Sequence, residues 1–423
     1  VSVSGAAGQR SDVLILGAGV IGLSCAWHLL QAGRSVRIID RIGPGAGSSH
    51  GNCGTLTPSH APPLAEPGVI AKAMRWMLQD DAPLYVKPRW DPALWAWMLR
   101  FARQCRTDRA NSVARHRAAI LLQSRRLLDE FLSQTGIDCE YRNDGLLYAF
   151  RDPASLAEYA GLPAQLKPLG LDARLLDQAE VLAMEPALRP EIVGGLLHSQ
   201  DGHLRPDRLI DGLVGEVKRL GGVIEAAAEA IAFERRGDRI ESVWLRDGRR
   251  LPAAQIVCAL GAWSPQLLRQ LSINLPIQPG KGYSITYSRP ELCPQRPLVL
   301  KERSVCVTSW DSGYRLGSTM EFAGFDESLN ERRLNALERA AREYLIEPMG
   351  ATVQERWYGW RPMTPDDLPL IGPVPGLQGL WLATGHGMLG VSMSAATGLL
   401  IRQMILGQDT DLDTASFSPK RFL

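Results

Sequence analysis

"VLILGAGVIGLSCAWHLLQAGRSVRIID", residues 13–40, is an apolar run broken by Gly17, Gly19 and Gly22 and closed by an acid. Residues 13–16 are all apolar, as in a strand buried inside a parallel sheet. Residues 20–31 carry helical spacing, Gly33 stands where a helix would end, and residues 36–40 make a second buried strand. The stretch therefore predicts a β-α-β unit. Within it, G-A-G-V-I-G has the spacing of a dinucleotide fingerprint. Gly17 permits the tight turn, Gly19 lets backbone approach a pyrophosphate, and Gly22 lets the helix pack on the strand. Unsatisfied N–H groups and the helix dipole then favour the anion. Asp40 lies where a carboxylate accepts hydrogen bonds from ribose hydroxyls. The plainer alternative is a tight turn that binds nothing.

The chain has 423 residues, which suggests two closely joined domains rather than one core. With 45% apolar and 22% charged residues it reads as a globular protein. A formal charge of +2 supplies no broad field for nucleic acid, and the arginines between 115 and 126 read as a solvated helix face. Seven cysteines, at 25, 53, 105, 139, 258, 293 and 306, are odd in number and show no C-x-x-C spacing. That predicts reduced thiols in a cytoplasmic setting and no metal site. Residues 1–10 lack the pattern of a secretory signal, and no run of about twenty apolar residues predicts a membrane span.

Along the chain, residues 43–67 form a Gly-, Ser-, Pro- and His-rich loop too long for an idle connection. Residues 68–134 read as mostly helical, with Trp76, Trp90, Trp95 and Trp97. Strands are expected at 146–150, 255–260, 282–287, 304–309 and 314–316, and a polar helix at 330–346. The tail "LWLATGHGMLGVSMSAATGLLIRQMI" repeats the strand, glycine turn and helix of the N-terminus. Such a second turn, Gly385-His386-Gly387, offers N–H donors and a helix dipole to the far end of a long cofactor. The pair of motifs fits FAD better than a nicotinamide dinucleotide.

Five stretches carry a resemblance over nearly the whole chain. They are "GAGVIGLSCAWHL", "NCGTLTPSHAPPLAEPGV" with "KAMRWMLQDDAPL", "PGKGYSIT", "GWRPMTPDDLPLIGP" and "TGHGMLGVSMSAATG". The chain resembles the D-amino-acid dehydrogenase small-subunit branch of the FAD-dependent amine-oxidising family, which also holds D-amino-acid oxidase, glycine oxidase and sarcosine oxidase.

The resemblance implies an α/β fold, α+β overall. A Rossmann-like FAD domain of glutathione-reductase type would be interleaved with a substrate domain of mixed β-sheet plus helices. Residues 10–67, 190–275 and 350–410 are assigned to the first domain, and 68–189 with 276–349 to the second. FAD contacts are expected from Gly17, Gly19, Val20, Ile21, Gly22, Asp40 and Arg41, and from Ser48, Ser49, Asn52, Gly54, Thr55 and Leu56. Gly261, Trp263 and Arg361 follow, with Gly385, His386, Gly387, Met388, Gly390, Val391 and Ser392. Gly359 falls near the position where the sarcosine-oxidase branch carries its flavin-bonded cysteine, so FAD is expected to be non-covalent.

Three residues are assigned catalytic roles. The resemblance implies that Arg361 binds the substrate carboxylate, for which a planar, bidentate guanidinium is suited; an ion pair with Asp366 or Asp367 is the alternative. Tyr283 would line the pocket and close over the substrate, or else be a strand-core tyrosine. His60 stands where the dehydrogenase pattern usually has tyrosine and would face the ligand, or else be a packing histidine. Cys53 reads as a small packed residue.

The reaction expected is oxidation of D-amino acids, D-proline or a hydroxy-D-proline as the narrower guess, by hydride transfer from Cα to flavin N5. Electrons would pass to a quinone or other carrier. A glycine- or sarcosine-type oxidase using oxygen and an FAD-bearing relay subunit are the rival readings. The expected location is cytoplasmic, with the Trp-rich segment 91–104 read as core packing or, alternatively, as a peripheral contact with the inner membrane.

Overall fold

A computed structural model describes residues 11–76 and 83–423. Residues 1–10 and 77–82, which include part of the quoted 72–84 stretch, lie outside the described residues, as does the side chain of Trp76.

The N-terminal stretch folds as expected: strand Ser11–Leu16, helix Val20–Gln31, strand Val36–Ile39. Ser11–Leu16 pairs in parallel with Val36–Ile39 on one side and with Arg250–Cys258 on the other. Leu380–Thr384 adds a further parallel strand beside Arg250–Cys258. Residues 13–16 and 256–258 of these strands are buried on both faces, which is why they are apolar without alternation. Val223–Glu225 closes one edge, and the antiparallel pair Ala230–Arg236 and Arg239–Leu245 closes the other.

Helix Val20–Gln31 leaves the end of Ser11–Leu16, and helix Gly390–Ile405 leaves the end of Leu380–Thr384 by the second glycine turn. The two helices lie against each other. Ser24 Oγ donates to Ser394 O at 2.8 Å, and Gly398 faces the Ser24 backbone too closely for a side chain. Both N-termini consequently open at the carboxyl ends of parallel strands that flank Arg250–Cys258, where this kind of sheet binds ligands.

The second sheet runs Val353–Met363, Gln278–Tyr287, Gly313–Phe322, Val305–Trp310, Leu298–Leu300, Leu146–Phe150, Gly194–His198, Arg174–Asp177. Strand alternation gives it two different faces. Tyr283, Ile285 and Tyr287 pack on Leu334, Leu337 and Tyr344 of the helix Glu331–Tyr344. The opposite face carries a row in register: Trp357, Ser284, Gly317, Cys306, Val299, Tyr148.

The boundaries of the two sheets depart from the expected domain division. Gly194–His198 and Val353–Met363 belong to the second sheet, although 190–275 and 350–410 were assigned to the nucleotide-binding unit. Val353–Met363 pairs with Gln278–Tyr287, and Gly194–His198 pairs with both Leu146–Phe150 and the nearer Arg174–Asp177, a choice of partners that local patterning does not encode. Residues 68–134 are helical as Val69–Trp76, Pro92–Gln104 and Thr107–Thr135, but a strand, Leu84–Val86, intervenes and pairs with Gly313–Phe322.

Candidate active site

One cavity of about 2340 Å³ runs from the first glycine turn, beneath the second sheet, to the second glycine turn. Ordinary small-molecule sites occupy roughly 300–1,000 Å³, so this space takes a dinucleotide and a small substrate together.

Its nucleotide end is built from backbone. Gly17 has φ +103°, and a Cβ there would stand 2.6 Å from Ala259 O. A Cβ on Gly22 would overlap Gly17 O, so the helix approaches the turn only because residue 22 has no side chain. Asp40 does more than wait for a ribose. One oxygen accepts from Ala18 N at 2.9 Å, and the other from Ile42 N and Gly43 N at 2.9 and 3.0 Å. Ser49 Oγ accepts from Val20 N at 3.0 Å, which places loop 48–54 on the helix N-terminus. Arg41 lies 4.3 Å over the Trp263 ring and forms a flat wall further out.

Loop 48–54 is itself pinned from several sides. Asn52 Nδ2 donates to Ser49 O at 3.0 Å and Oδ1 accepts from Gly54 N at 2.8 Å. Ser284 Oγ donates to Gly51 O at 2.7 Å. The buried Arg315 donates from Nη1 to Asn52 O at 2.7 Å and from Nε to Thr286 Oγ1 at 2.8 Å. Sequence reasoning missed Arg315; a single arginine on the inward-facing side of the apolar strand "YRLGS" was the available signal.

At the sheet end, Arg361 extends across Gly282, where a Cβ would overlap its guanidinium. Nη1 donates to Thr319 O at 2.6 Å. Among the described residues no carboxylate pairs with it. Asp366 is taken by Arg421 at 2.8 Å, and Asp367 lies 3.6 Å from Arg117 while accepting from Leu64 N. The ion-pair alternative for Arg361 is thereby removed. Burial lowers the Arg361 pKa, and only Cys53 opposes that shift.

His60 lines the cavity with Nε2 2.7 Å from Tyr148 Oη, and Arg117 donates to its carbonyl at 2.7 Å. Burial, followed by the nearby His198, Lys301 and Arg117, holds its pKa down to about 3. It is a neutral imidazole at physiological pH. His386 is likewise held near 3 by burial, with Nε2 2.9 Å from Thr397 Oγ1.

Tyr283 requires a correction. Its residue borders the cavity, but the ring belongs to the core on the far face and the hydroxyl donates to Glu321 at 3.1 Å. It cannot close over a substrate while Ser284, its neighbour in the strand, takes the inward position. Strand parity in "KGYSIT" carries that information once a register is known.

Most of the expected cofactor residues meet around the cavity. They are Gly17, Gly19, Val20, Ile21, Asp40, Arg41, Ser48, Ser49, Asn52, Thr55, Gly261, Trp263, Arg361, His386, Gly387, Met388, Gly390 and Val391. Gly22, Gly54, Leu56, Gly385 and Ser392 stand behind that lining. Gly54 is pressed against Leu204 O, Gly385 against Thr364, and Ser392 Oγ accepts from Thr57 N at 3.1 Å. They shape the wall from behind. The lining also includes Cys53, Tyr148, Lys301, Cys306 and Trp357 from distant segments. The Trp-rich helix Pro92–Gln104 divides: Trp97 is buried and donates to Met363 O at 3.0 Å, whereas Trp95 is 53% exposed.

Two glycine turns lining a single long cavity, with helix N-termini behind both, fit FAD. Residues 12–404 match the family model described as FAD dependent oxidoreductase (DAO), and the chain belongs to that family. It is an FAD-dependent oxidoreductase. It is 34% identical over 422 residues to the D-amino acid dehydrogenase of Chromohalobacter salexigens, covering 97% of this chain and 99% of that one. Glycine oxidase from Geobacillus kaustophilus has a TM-score of 0.79 at 23% identity, over 98% of this chain and 100% of that one. L-proline dehydrogenase from P. horikoshii has a TM-score of 0.74 at 17% identity, over 98% of each chain. The two solved structures share the fold. No helix among the described residues is long and apolar enough to cross a membrane.

Proposed function

We propose that the protein is a D-amino-acid dehydrogenase, with non-covalent FAD and with a quinone or other carrier as electron acceptor. The observation that carries this reading is Arg361, a cationic fork in the cavity wall with no carboxylate against it among the described residues. A buried charge left unpaired is costly, so the site favours a ligand that brings the missing carboxylate. The 34% identical relative, named as a D-amino acid dehydrogenase, supports the same substrate class.

When bound, FAD supplies the acceptor for the two electrons and the hydrogen leaving the substrate carbon. The chain's own part is to hold the substrate still. Arg361 takes the carboxylate in two parallel hydrogen bonds, which fixes two directions at once. Gly282 keeps the floor beneath it clear. Neutral His60 and the Tyr148 hydroxyl present a polar, uncharged wall, compatible with a substrate amine that has given up its proton. The pyrophosphate would meet the first turns at Gly19 and Val20, with Ser49 steadying that terminus. Trp360 packs edge-on against Trp263 and Tyr358 and by strand parity shares the face of Tyr283 rather than that of Arg361, so the preference for D-proline rests on the overall likeness alone.

Anaerobic mixing of the purified holoprotein with D-, L- and N-methyl amino acids, read as loss of the oxidised flavin's visible absorbance, tests the proposal. Bleaching by D-amino acids, D-proline among the fastest, with little peroxide formed in air, is the expected result. Bleaching by N-methyl amino acids or glycine with stoichiometric peroxide would replace it by the oxidase reading. No bleaching by any amino acid would leave the relay subunit.

A further inference from the structure

Two thiols meet in the cavity wall from opposite parts of the chain. Cys306 lies on Val305–Trp310, directly across the ladder from Gly317. Because Gly317 has no side chain, Cys53 fills its place, with Sγ 2.5 Å from where a Cβ would stand. Directly opposed residues on neighbouring strands have Cβ positions roughly 4.5–5.5 Å apart. Cys53 Sγ is thereby set beside Cys306, near enough for each sulfur to shift the other's proton affinity. Both are free, both are half-buried, and both line the cavity.

Their surroundings differ in a useful way. The Cys306 thiol and the charges of Arg315 and Arg361 bring the Cys53 thiol below its ordinary pKa, against the effect of burial. Cys306, beside it, is pushed up and keeps its proton. One sulfur is prepared to attack and the other to follow. Elsewhere, burial pushes Cys25 and Cys139 up to about 12 and Cys258 to about 11.

We propose that Cys53 and Cys306 form a reversible redox site that hydrogen peroxide converts to a disulfide. The Cys53 thiolate attacks one peroxide oxygen, the O–O bond breaks, and the departing hydroxide takes a proton to leave as water. Cys53 is then a sulfenic acid. Cys306 loses its proton and attacks the Cys53 sulfur; the S–O bond breaks, a second water leaves, and the S–S bond forms. Two thiols and one peroxide give one disulfide and two waters, with two electrons passing from sulfur to oxygen. A dithiol reductant reverses the change. The inference is independent of which amine the enzyme oxidises.

The test treats the holoprotein with hydrogen peroxide, alkylates it with iodoacetamide and maps the digest by mass spectrometry. A peptide joining Cys53 to Cys306, lost on treatment with dithiothreitol, is expected. These two thiols should become unalkylatable about ten-fold faster than the half-buried but solitary Cys105. In Cys306→Ser the Cys53 sulfur should pass on to sulfinic acid, and in Cys53→Ser the Cys306 thiol should stay alkylatable. Should peroxide leave both thiols of the unmutated protein free, or join Cys53 to another cysteine, the proposal is overturned. The unmutated protein alone decides that point, so misfolding of either variant leaves the test intact.

Discussion

At one end of the cavity, Gly17, Gly19, Gly22 and Asp40 come from a single strand–turn–helix–strand and bind through backbone. At the other end, Arg361, Gly282 and Thr319 come from three strands and act through one side chain over an empty place in the sheet. The first end is fixed by steric necessity and is intolerant of any added atom. The second is fixed by a register shared among strands, and its key group is the flexible tip of a long residue. The two ends should therefore fail differently: the first by losing the cofactor, the second by losing the substrate while keeping the cofactor.

Gly22→Ala gives the largest expected effect. Its Cβ would overlap the Gly17 carbonyl, and that clash is with backbone, not with a flexible side-chain tip that could give way. We expect the helix to move off the strand, with a stability loss of about 3 kcal/mol or more. The flavin-to-protein absorbance ratio of the purified variant checks this; a full complement of FAD at unchanged melting temperature would contradict the steric account.

Arg361→Ala comes next and separates the two ends. FAD content should stay near that of the unmutated protein, while kcat/KM for D-amino acids falls by about 2–5 kcal/mol, the range for removing one partner of a buried charged pair. Steady-state kinetics beside the flavin spectrum read both quantities. Loss of flavin together with activity would mean that Arg361 serves the cofactor instead.

Gly282→Ala then sharpens the picture of the floor. The added methyl meets only the end of the Arg361 side chain, which can move. The protein should fold and bind FAD, with kcat/KM lowered by about 1–3 kcal/mol as the fork leaves its position. A rise in KM with kcat nearly kept would show uniform loss of carboxylate binding; a fall in kcat alone would show misplacement of the reacting carbon.

The same contrast explains what was legible in the sequence. The nucleotide end could be read because its residues are contiguous and each glycine has a local steric cause. Even the second turn at Gly385–Gly387 repeats that grammar. Arg361 was reached only through resemblance, since nothing near "GWRPM" says that Gly282 will lie beneath it. Arg315, Cys306, Tyr148 and Lys301 were not found at all. They are strand or strand-end residues in four separate segments, and their convergence depends on sheet order, which alternation does not encode.

Tyr283 is the smallest effect and the most direct test of strand parity. Sequence left it open between the pocket and the strand core; the fold turns it to the core on the far face, where its hydroxyl donates to Glu321. The Glu321 carboxylate is buried beside Arg333 and Asn330 and does not depend on the tyrosine alone. Tyr283→Phe removes one hydrogen bond and no ring volume, so stability should fall by about 0.5–1.5 kcal/mol. Both kcat and KM should stay within about two-fold, since the lost oxygen is on the wrong side of the sheet to reach a substrate. Ser284→Ala, one residue on, breaks the bond to Gly51 O on the cavity face and should disturb turnover more than Tyr283→Phe does. If the phenylalanine variant were the slower of the two, the register linking Gln278–Tyr287 to its neighbours would have to be shifted by one residue, and Arg361 would lose its place over Gly282 with it.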